Sequence, residues 1–259
     1  MEGWLDMAFD LADLAAQIAL PRFGRGALHA TVKHDGSPVT DVDLAVERRL
    51  RGEIARRCPE HSVVGEELGV SGDGAWRWYV DPIDGTAPYL AGDRSWMTLI
   101  ALTRDGEIVV GVADAPARGE RWWASRGGGA YCNGSPLRVS TGTALEQATV
   151  ADDWRRSIAG GVADGPLGAL AASGGSTYPF RHHSFLAVAA GRADVAVGSK
   201  CGPWDYAAPK LIVEEAGGTF TDFAGQPNID AGRAVVTNGH VHREVLDLLS
   251  PFRTDTEDG

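Results

Sequence analysis

The sequence predicts an α+β fold, a layered sandwich of two halves that divide near residue 140. Two observations predict it. Helical segments and a run of consecutive strands come first, and the last part of the chain then alternates strands with helices. The 259 residues are 44% apolar and 23% charged, which is typical of a globular protein with one large domain or two modest ones. We therefore expect one half to span residues 1–140 and the other to span 141–259.

Apolar residues at helical spacing predict six helices. The second has a clear start, because Thr40 can cap it and Asp43, three residues on, can bond back to the cap. Gly217 and Gly218 end the fifth, since glycine accepts the left-handed backbone that commonly follows a helix. The predicted helices are Trp4–Phe23, Asp41–Arg57, Pro166–Ala172, Ser184–Gly191, Trp204–Ala216 and Val241–Leu249.

Short runs rich in β-branched and aromatic residues predict the strands. Asp105-Gly106 lies between two of them and predicts a hairpin turn. The segment SRGGGAYCNGSPLRVS predicts further, turn-rich β structure. The predicted strands are Ser62–Gly65, Trp78–Asp81, Thr98–Thr103, Ile108–Ala113, Arg121–Ser125, Thr149–Asp152, Asp194–Val197, Thr219–Asp222 and Arg233–Thr237.

The composition argues against several function classes. A net charge of −11 argues against nucleic-acid binding through a basic face, although carboxylates that collect divalent cations can still bind anions. Apolar runs stay short of the ~18 residues of a membrane helix, and the acidic N-terminal segment does not resemble a secretory signal. Because Cys58, Cys132 and Cys201 form no disulfide or zinc pattern, we expect a cytoplasmic protein without membrane or nucleic-acid partners.

The stretch YVDPIDGTAPYL places Asp81 and Asp84 at the end of a predicted strand. An ordinary turn is one explanation, because Asp-Pro and Asp-Gly are common turn dipeptides. However, Pro82 fixes φ and Gly85 permits a sharp bend, so both carboxylates and the Ile83 carbonyl could point to one side. Carboxylate and carbonyl oxygens are the ligands that Mg²⁺ accepts, so a metal site is the second explanation.

Glu66 and Glu67 in VVGEELG follow a short apolar run. A solvated acidic loop explains them, and for Glu67 we favour that interpretation. Glu66 ends the predicted strand that precedes the Asp81 strand. If these strands are neighbours, the two acids meet at one edge of a sheet.

Further polar residues have ordinary structural explanations when each is taken alone. Asp205 opens a helix, where an acid commonly caps the N-terminus, and Trp204 beside it is expected to pack. Asp43 can serve only as a helix cap, and Lys33 can be a solvated lysine. Only the combination of these groups is specific.

Together, these stretches resemble the inositol monophosphatase superfamily: GEE, then DPIDGT, then WD at the start of a helix that ends in EAGG. The resemblance extends from Lys33 to Gly239, and the middle of the chain resembles the bacterial branch that includes histidinol-phosphate phosphatases. It implies an αβαβα sandwich of the inositol monophosphatase/fructose-1,6-bisphosphatase type and a homodimer. It also implies Mg²⁺-dependent hydrolysis of phosphate monoesters, with two or three ions per active site.

The resemblance implies which residues bind the metal. Asp81 would bridge two ions, and a third, weaker ion would lie near Glu66. Most ligands fall in the first half and one falls in the second: Glu66, Asp81, the Ile83 carbonyl, Asp84 and Asp205. Crowded carboxylates repel one another, and divalent cations relieve that repulsion. Two metals ~3.5–4 Å apart can activate water and stabilise the leaving oxygen.

The resemblance also implies catalytic and phosphate-binding roles. Thr86 and Asp43 would orient the attacking water, with Glu66 as a third catalytic residue. Backbone N–H groups of Gly85 and Thr86 would hold phosphate oxygens, and Lys33 would lie near the cluster. Phosphoryl transfer mainly requires positioning and charge neutralisation, so no Ser/His/Asp nucleophile is needed.

Two departures from the family pattern bear on the substrate. Ala87-Pro88-Tyr89 follows DGT where relatives commonly have Lys or Thr and then Asn-Phe. Gly198 stands seven residues before Asp205, where many relatives have a glutamate that holds a hydroxyl or amine of the leaving group. Lys200, with Arg181, suits a more anionic ligand, although a solvated loop lysine explains Lys200 equally well. We expect a phosphorylated sugar or polyol, or a bisphosphate, as substrate; histidinol phosphate and inositol monophosphate are the alternatives.

Two rival functions make different demands on the sequence. A non-catalytic metal-binding protein would lack some ligand acids or the threonine, but this chain has all of them: Glu66, Asp81, Asp84, Thr86 and Asp205. A nucleotide-binding enzyme is disfavoured, because RGGGAY has neither the P-loop Lys-Ser/Thr nor a Rossmann context. The sequence therefore predicts a Mg²⁺-dependent phosphatase that acts on a small phosphorylated metabolite.

Overall fold

The computed structural model describes residues 2–25, 29–34, 36–151, 168, 170, 173, 176–178, 183–199 and 201–252. Arg181 and Lys200 lie outside the described residues, and so does most of the predicted helix Pro166–Ala172.

The helices begin and end close to the predicted positions. Thr40 caps the second helix and accepts hydrogen bonds from two backbone N–H groups, while Asp43 bonds back to the Thr40 N–H, as predicted. The first helix ends at Ala19, earlier than predicted, because the residue before Pro21 is biased away from helical geometry. The described helices are α1 Glu2–Ala19, α2 Asp41–Arg57, α3 Thr86–Leu90, α4 Ser184–Ala189, α5 Pro203–Glu215 and α6 His242–Leu248, with 3-10 turns Leu145–Gln147 and Ser250–Phe252.

The first half of the chain contains ten described strands. They are β1 Ala30–Val32, β2 Pro38–Thr40, β3 Ser62–Gly65, β4 Gly69–Ser71, β5 Trp76–Asp84, β6 Met97–Arg104, β7 Glu107–Ala115, β8 Glu120–Ser125, β9 Gly129–Cys132 and β10 Ser135–Pro136. β1 and β2 form a separate hairpin, and the others form a sheet in the order β10-β9-β8-β7-β6-β5-β3-β4. The predicted hairpin joins β6 to β7, with Asp105 and Gly106 both at positive φ.

The second half forms its own sheet. Its described strands are β11 Thr149–Ala151, β12 Ser176–Tyr178, β13 Val195–Ser199, β14 Thr219–Thr221 and β15 Arg233–Thr237, in the order β12-β11-β13-β15-β14. The chain leaves the first sheet after Pro136 and enters the second at Thr149. This change of sheet supports a boundary near residue 140, which we keep as a proposal.

Three apolar cores join these elements into five layers, and the αβαβα prediction is confirmed. One core, with Leu11 and Val46, lies between the α1–α2 pair and one face of the first sheet. A second, with Phe185 and Leu211, surrounds α4 and α5 between the two sheets. The third, with Val245, covers the outer face of the second sheet, beside α6. In the described part of the chain, no helix has the length and apolarity that crossing a membrane requires.

Candidate active site

Two parallel strands bring Glu66 and Asp81 to the same sheet edge. β3 pairs with β5 in a register that sets Gly65 opposite Val80. The Glu66 N–H then donates to the Val80 carbonyl at 3.2 Å. The two strands are neighbours, as the expectation required, and Glu66 therefore lies beside the Asp81 strand.

The DPID stretch is an irregular strand rather than a simple turn. β5 continues to Asp84, beyond its predicted end, and its pairing with β6 slips between Asp81 and Asp84. Such a bulge inserts extra residues on one strand and redirects their side chains. Thr98 donates from Oγ1 to the Pro82 carbonyl at 2.9 Å and so satisfies the interrupted ladder. The irregularity places both carboxylates at one point of the sheet edge.

Gly85 makes the following turn possible. Its φ of +90° lies in the left-handed region, and a Cβ there would approach the Ser95 carbonyl oxygen to 2.9 Å. The chain can therefore pass directly from Asp84 into the short helix α3, which begins at Thr86.

Asp205 comes to the cluster from the second half of the chain. It lies in the first turn of α5, where its Oδ2 accepts the Gly202 N–H at 2.6 Å. It is therefore a helix-capping acid, as one explanation held. One carboxylate oxygen from each of Asp81, Asp84 and Asp205 also lies within 4.8 Å of the others. Trp204 is partly buried against the central core, as predicted.

This cluster is electrostatically strained without a cation. Asp81 is 1% exposed, and its Oδ1 has no hydrogen-bond partner among the described residues. Burial, then repulsion from Glu66, Asp205 and Asp84, raises the pKa of Asp81 far above its usual range. Burial and the same kind of repulsion raise the pKa of Asp205 to about 8. This buried oxygen lies among other carboxylate oxygens. Such a set of oxygen ligands fits a divalent cation such as Mg²⁺.

We expect the metal-free protein to lose stability as the pH rises from about 4 to 8. The pKa of Asp205 is about 8 when folded against 3.8 as its ordinary value, so in this range the folded chain holds a proton that the unfolded chain has released. Mg²⁺ binds the ionised form, so Mg²⁺ should raise the melting temperature more at pH 8 than at pH 5.

Thermal melts in EDTA and in Mg²⁺ measure this, with Asp205→Asn as the control because it lacks the titrating carboxyl. A pH slope in EDTA that is identical in the two proteins would contradict the expectation.

Asp43 and Thr86 form a buried pair beside the cluster. Thr86 Oγ1 lies 3.1 Å from Asp43 Oδ1 and 3.2 Å from the Ile83 carbonyl. The other oxygen, Asp43 Oδ2, accepts the N–H and the hydroxyl of Thr40. Burial raises the pKa of Asp43. Asp43 therefore supports the Thr40 cap of α2 and contacts Thr86 with the same carboxylate.

Lys33 bridges the two consecutive glutamates. Its Nζ lies 2.7 Å from Glu66 Oε1 and 2.7 Å from Glu67 Oε1. The Glu67 side chain is 5% exposed and burial raises its pKa to about 7, so the solvated-loop interpretation of Glu67 is wrong. Burial lowers the pKa of Lys33, but the bonds to both glutamates outweigh this and raise it. The sequence did not predict this ion pair, because Lys33 is distant from Glu67 in the chain.

Gly198 belongs to the predicted substrate side. Gly198 lies on β13, and a Cβ there would meet ring atoms of Phe185 and Tyr206 at 3.1 Å. Those two rings stack with centroids 5.8 Å apart. Arg181 and Lys200, predicted on this side, lie outside the described residues.

The model of the inositol monophosphatase family matches residues 1–251 of this chain. This chain belongs to the inositol monophosphatase family. The histidinol-phosphatase of Streptomyces coelicolor is 38% identical, over 96% of this chain and 99% of that protein. The histidinol-phosphatase of Mycobacterium tuberculosis is also 38% identical, over 95% of this chain and 97% of that protein. A solved structure of the extragenic suppressor protein suhB of Bartonella henselae superposes with a TM-score of 0.84 at 28% identity, covering 95% and 98% of the two chains.

Membership in the inositol monophosphatase family makes the chain a phosphatase, a phosphoric monoester hydrolase that acts on phosphorylated metabolites. Enzymes of this family depend on metal, and this chain contains a carboxylate cluster of Asp81, Asp84 and Asp205.

Proposed function

We propose that this member of the inositol monophosphatase family is a Mg²⁺-dependent histidinol-phosphate phosphatase. The observation that supports the metal-dependent chemistry is the buried Oδ1 of Asp81, which has no hydrogen-bond partner in the described part of the chain and lies in a cluster of three aspartates. The observation that favours histidinol phosphate is the 38% identity, over nearly the whole of both chains, to two proteins named histidinol-phosphatase.

The proposed metal ligands are the residues of the cluster and the sheet edge beside it: Glu66, Asp81, the Ile83 carbonyl, Asp84 and Asp205. When bound, Mg²⁺ supplies positive charge opposite the phosphate oxygens and lowers the pKa of water. We propose that two or three ions bind in each active site. The cation relieves the repulsion among the carboxylates, which otherwise raises the pKa of Asp81 and Asp205.

The residues around the cluster are proposed to position water and phosphate. Thr86 donates its hydroxyl hydrogen to Asp43, so its oxygen can accept a hydrogen bond from the attacking water; when that water loses its proton to Thr86 Oγ1, the original Thr86 proton passes to the Asp43 carboxylate. The Gly85 and Thr86 N–H groups hold phosphate oxygens at the end of β5. Lys33 adds one positive charge beside Glu66 and Glu67. These groups orient the reactants, which is the main requirement of phosphoryl transfer.

A substrate panel tests the proposed function. With Mg²⁺ present, kcat/KM should be at least about tenfold higher for histidinol phosphate than for inositol-1-phosphate, a hexose monophosphate or a hexose bisphosphate, since contacts with the leaving group set discrimination of this order or more. EDTA should abolish phosphate release from all four esters. Activity that survives EDTA would refute the metal dependence, and a preference for another ester would refute the substrate.

A phosphorylated sugar or polyol is the second candidate. Gly198 replaces the acid that many relatives use for an amine or hydroxyl, and the Phe185 and Tyr206 rings crowd that position. If histidinol phosphate is bound, its amine must then be held by a different group. The hexose esters in the panel decide between the two candidates.

We also propose a cytoplasmic homodimer. The three cysteines, Cys58, Cys132 and Cys201, form no disulfide with one another, which supports a reducing compartment. The dimer is inferred from the family resemblance, and sedimentation of the purified chain tests it.

A further inference from the structure

A buried glutamate on α2 holds the backbone that carries Glu66. Glu47 is 0% exposed. Its Oε2 accepts the Glu67 N–H at 2.8 Å, and its Oε1 accepts the Leu68 N–H at 3.2 Å. The carboxylate thus satisfies two consecutive backbone donors of the turn between β3 and β4. In the same turn, the side chains of Glu66 and Glu67 both form ion pairs with Lys33.

Arg51, one helical turn further along α2, fixes the Glu47 carboxylate. Its Nε donates to Glu47 Oε1 at 2.7 Å. The two ends of its guanidinium reach across the turn to the Gly69 carbonyl and to Ser71 Oγ, the latter at 2.8 Å. A buried carboxylate is costly unless it is paired and hydrogen-bonded, and Glu47 meets both conditions.

Gly65 allows this close approach. A Cβ at position 65 would lie 2.1 Å from Glu47 Oε1 and 2.9 Å from Arg51 Nη2. Only a residue without a side chain therefore fits between the end of β3 and the Glu47–Arg51 pair. The glycine of GEE is explained by this contact, in addition to the acids that follow it.

The backbone of this turn must be fixed by other groups, because the turn carries two adjacent carboxylates near Asp81. Repulsion from Asp81 acts on Glu66, and Lys33 is the partner that the Glu66 and Glu67 side chains share. Hydrogen bonds from the backbone to Glu47 fix where the turn lies without using the Glu66 carboxylate itself.

We propose that Glu47, held by Arg51, is a positioning residue that keeps Glu66 at the metal-binding edge beside Asp81. The inference rests on the proposed role of Glu66 as a metal ligand. Groups that orient metal ligands typically contribute about 10- to 100-fold in metal affinity or activity.

Glu47→Gln tests the proposal, because it keeps the size of the side chain but replaces one acceptor oxygen with a donor group. Glu53→Gln is the matched control. Glu53 lies on the same helix, is 5% exposed and pairs with Arg56 and Arg57, away from the Glu66 turn. Two quantities are measured on the full chain: the dissociation constant of Mg²⁺ alone by calorimetry, and amide hydrogen exchange of the segment 65–69 by mass spectrometry.

We expect Glu47→Gln to weaken Mg²⁺ binding about tenfold and to speed exchange in this segment, with or without Mg²⁺. Glu53→Gln should change neither quantity, whatever it does to the melting temperature. Equal Mg²⁺ affinity and equal exchange in the two variants would overturn the proposal and leave Glu47 with a purely structural role.

Two further variants keep the outcome decisive. If Glu47→Gln does not fold, Arg51→Lys replaces it, since lysine keeps the charge but loses the fork that reaches Glu47 and Gly69; the same two quantities should move in the same direction. Glu66→Gln separates this inference from the proposed function. If Glu66→Gln binds Mg²⁺ as the wild type does, the metal assignment of Glu66 fails; if only Glu66→Gln is impaired, the role of Glu47 alone fails.

Discussion

Replacing Asp84 with asparagine is expected to lower Mg²⁺-dependent phosphate release by about 10³-fold while the protein stays folded. Metal ions contribute several kcal/mol of charge stabilisation in such reactions, and about 1.4 kcal/mol corresponds to a factor of ten. Asparagine is neutral, so it weakens the carboxylate set that Asp84 forms with Asp81 and Asp205. The measurement is the rate of phosphate release at saturating substrate over a range of Mg²⁺ concentrations.

Without metal, the Asp84→Asn variant should be as stable as the wild type or more stable. Asp84 contributes to the repulsion that raises the pKa of both Asp81 and Asp205, so removing its charge relieves strain. The melting temperature in EDTA should therefore not fall. Asp73→Asn, a change at an exposed aspartate in the same half, is the control and should keep full activity. Turnover of Asp84→Asn near the wild-type rate would refute the metal site.

Replacing Asp43 with asparagine is expected to lower kcat by about 10²- to 10⁴-fold without changing the affinity for Mg²⁺, because proton transfer by a positioned group contributes that much. Asp43 accepts bonds with both oxygens, whereas asparagine has one acceptor. Either the Thr40 cap or the Thr86 hydroxyl then loses its partner. Initial rates and the half-saturating Mg²⁺ concentration, measured separately, check this.

Changes at Thr86 separate the catalytic contact from the helix cap. Thr86→Val removes the hydroxyl but leaves the Thr40–Asp43 bonds intact, so kcat should fall as in Asp43→Asn while the melting temperature changes less. Thr86→Ser keeps the hydroxyl and should retain most of the activity. A fully active Thr86→Val enzyme would refute the catalytic role of the Thr86–Asp43 contact.

Much of the fold was predictable because it depends on local signals. The start of α2 followed from Thr40 and Asp43, and the β6–β7 hairpin followed from Asp105-Gly106. The helix α3 was not predicted, since five residues are too few to show a helical period. β5 is longer than predicted, because the sheet continues through a proline that alone favours a turn.

Predictions about individual acidic residues were less reliable than the prediction drawn from the order of the motifs along the chain. The motif order indicated the correct family. The predicted exposure of Glu67 was wrong, and its ion-pair partner Lys33 lies 34 residues earlier in the chain. Glu47 gave no signal, since an acid on a charged helix has the pattern of a solvated residue.

The sequence by itself determined the layered fold class, the family and the set of acids that the metal proposal uses, because short motifs and capping patterns depend on neighbouring residues. Only the tertiary structure decided that Asp205 meets Asp81 and Asp84, that Glu67 is buried, and that Glu47 holds the Glu66 turn. The physical reason is that burial and charge repulsion depend on which segments lie close together in space. A local sequence pattern does not determine the distance between residues that lie on the two sheets and on the helix between them.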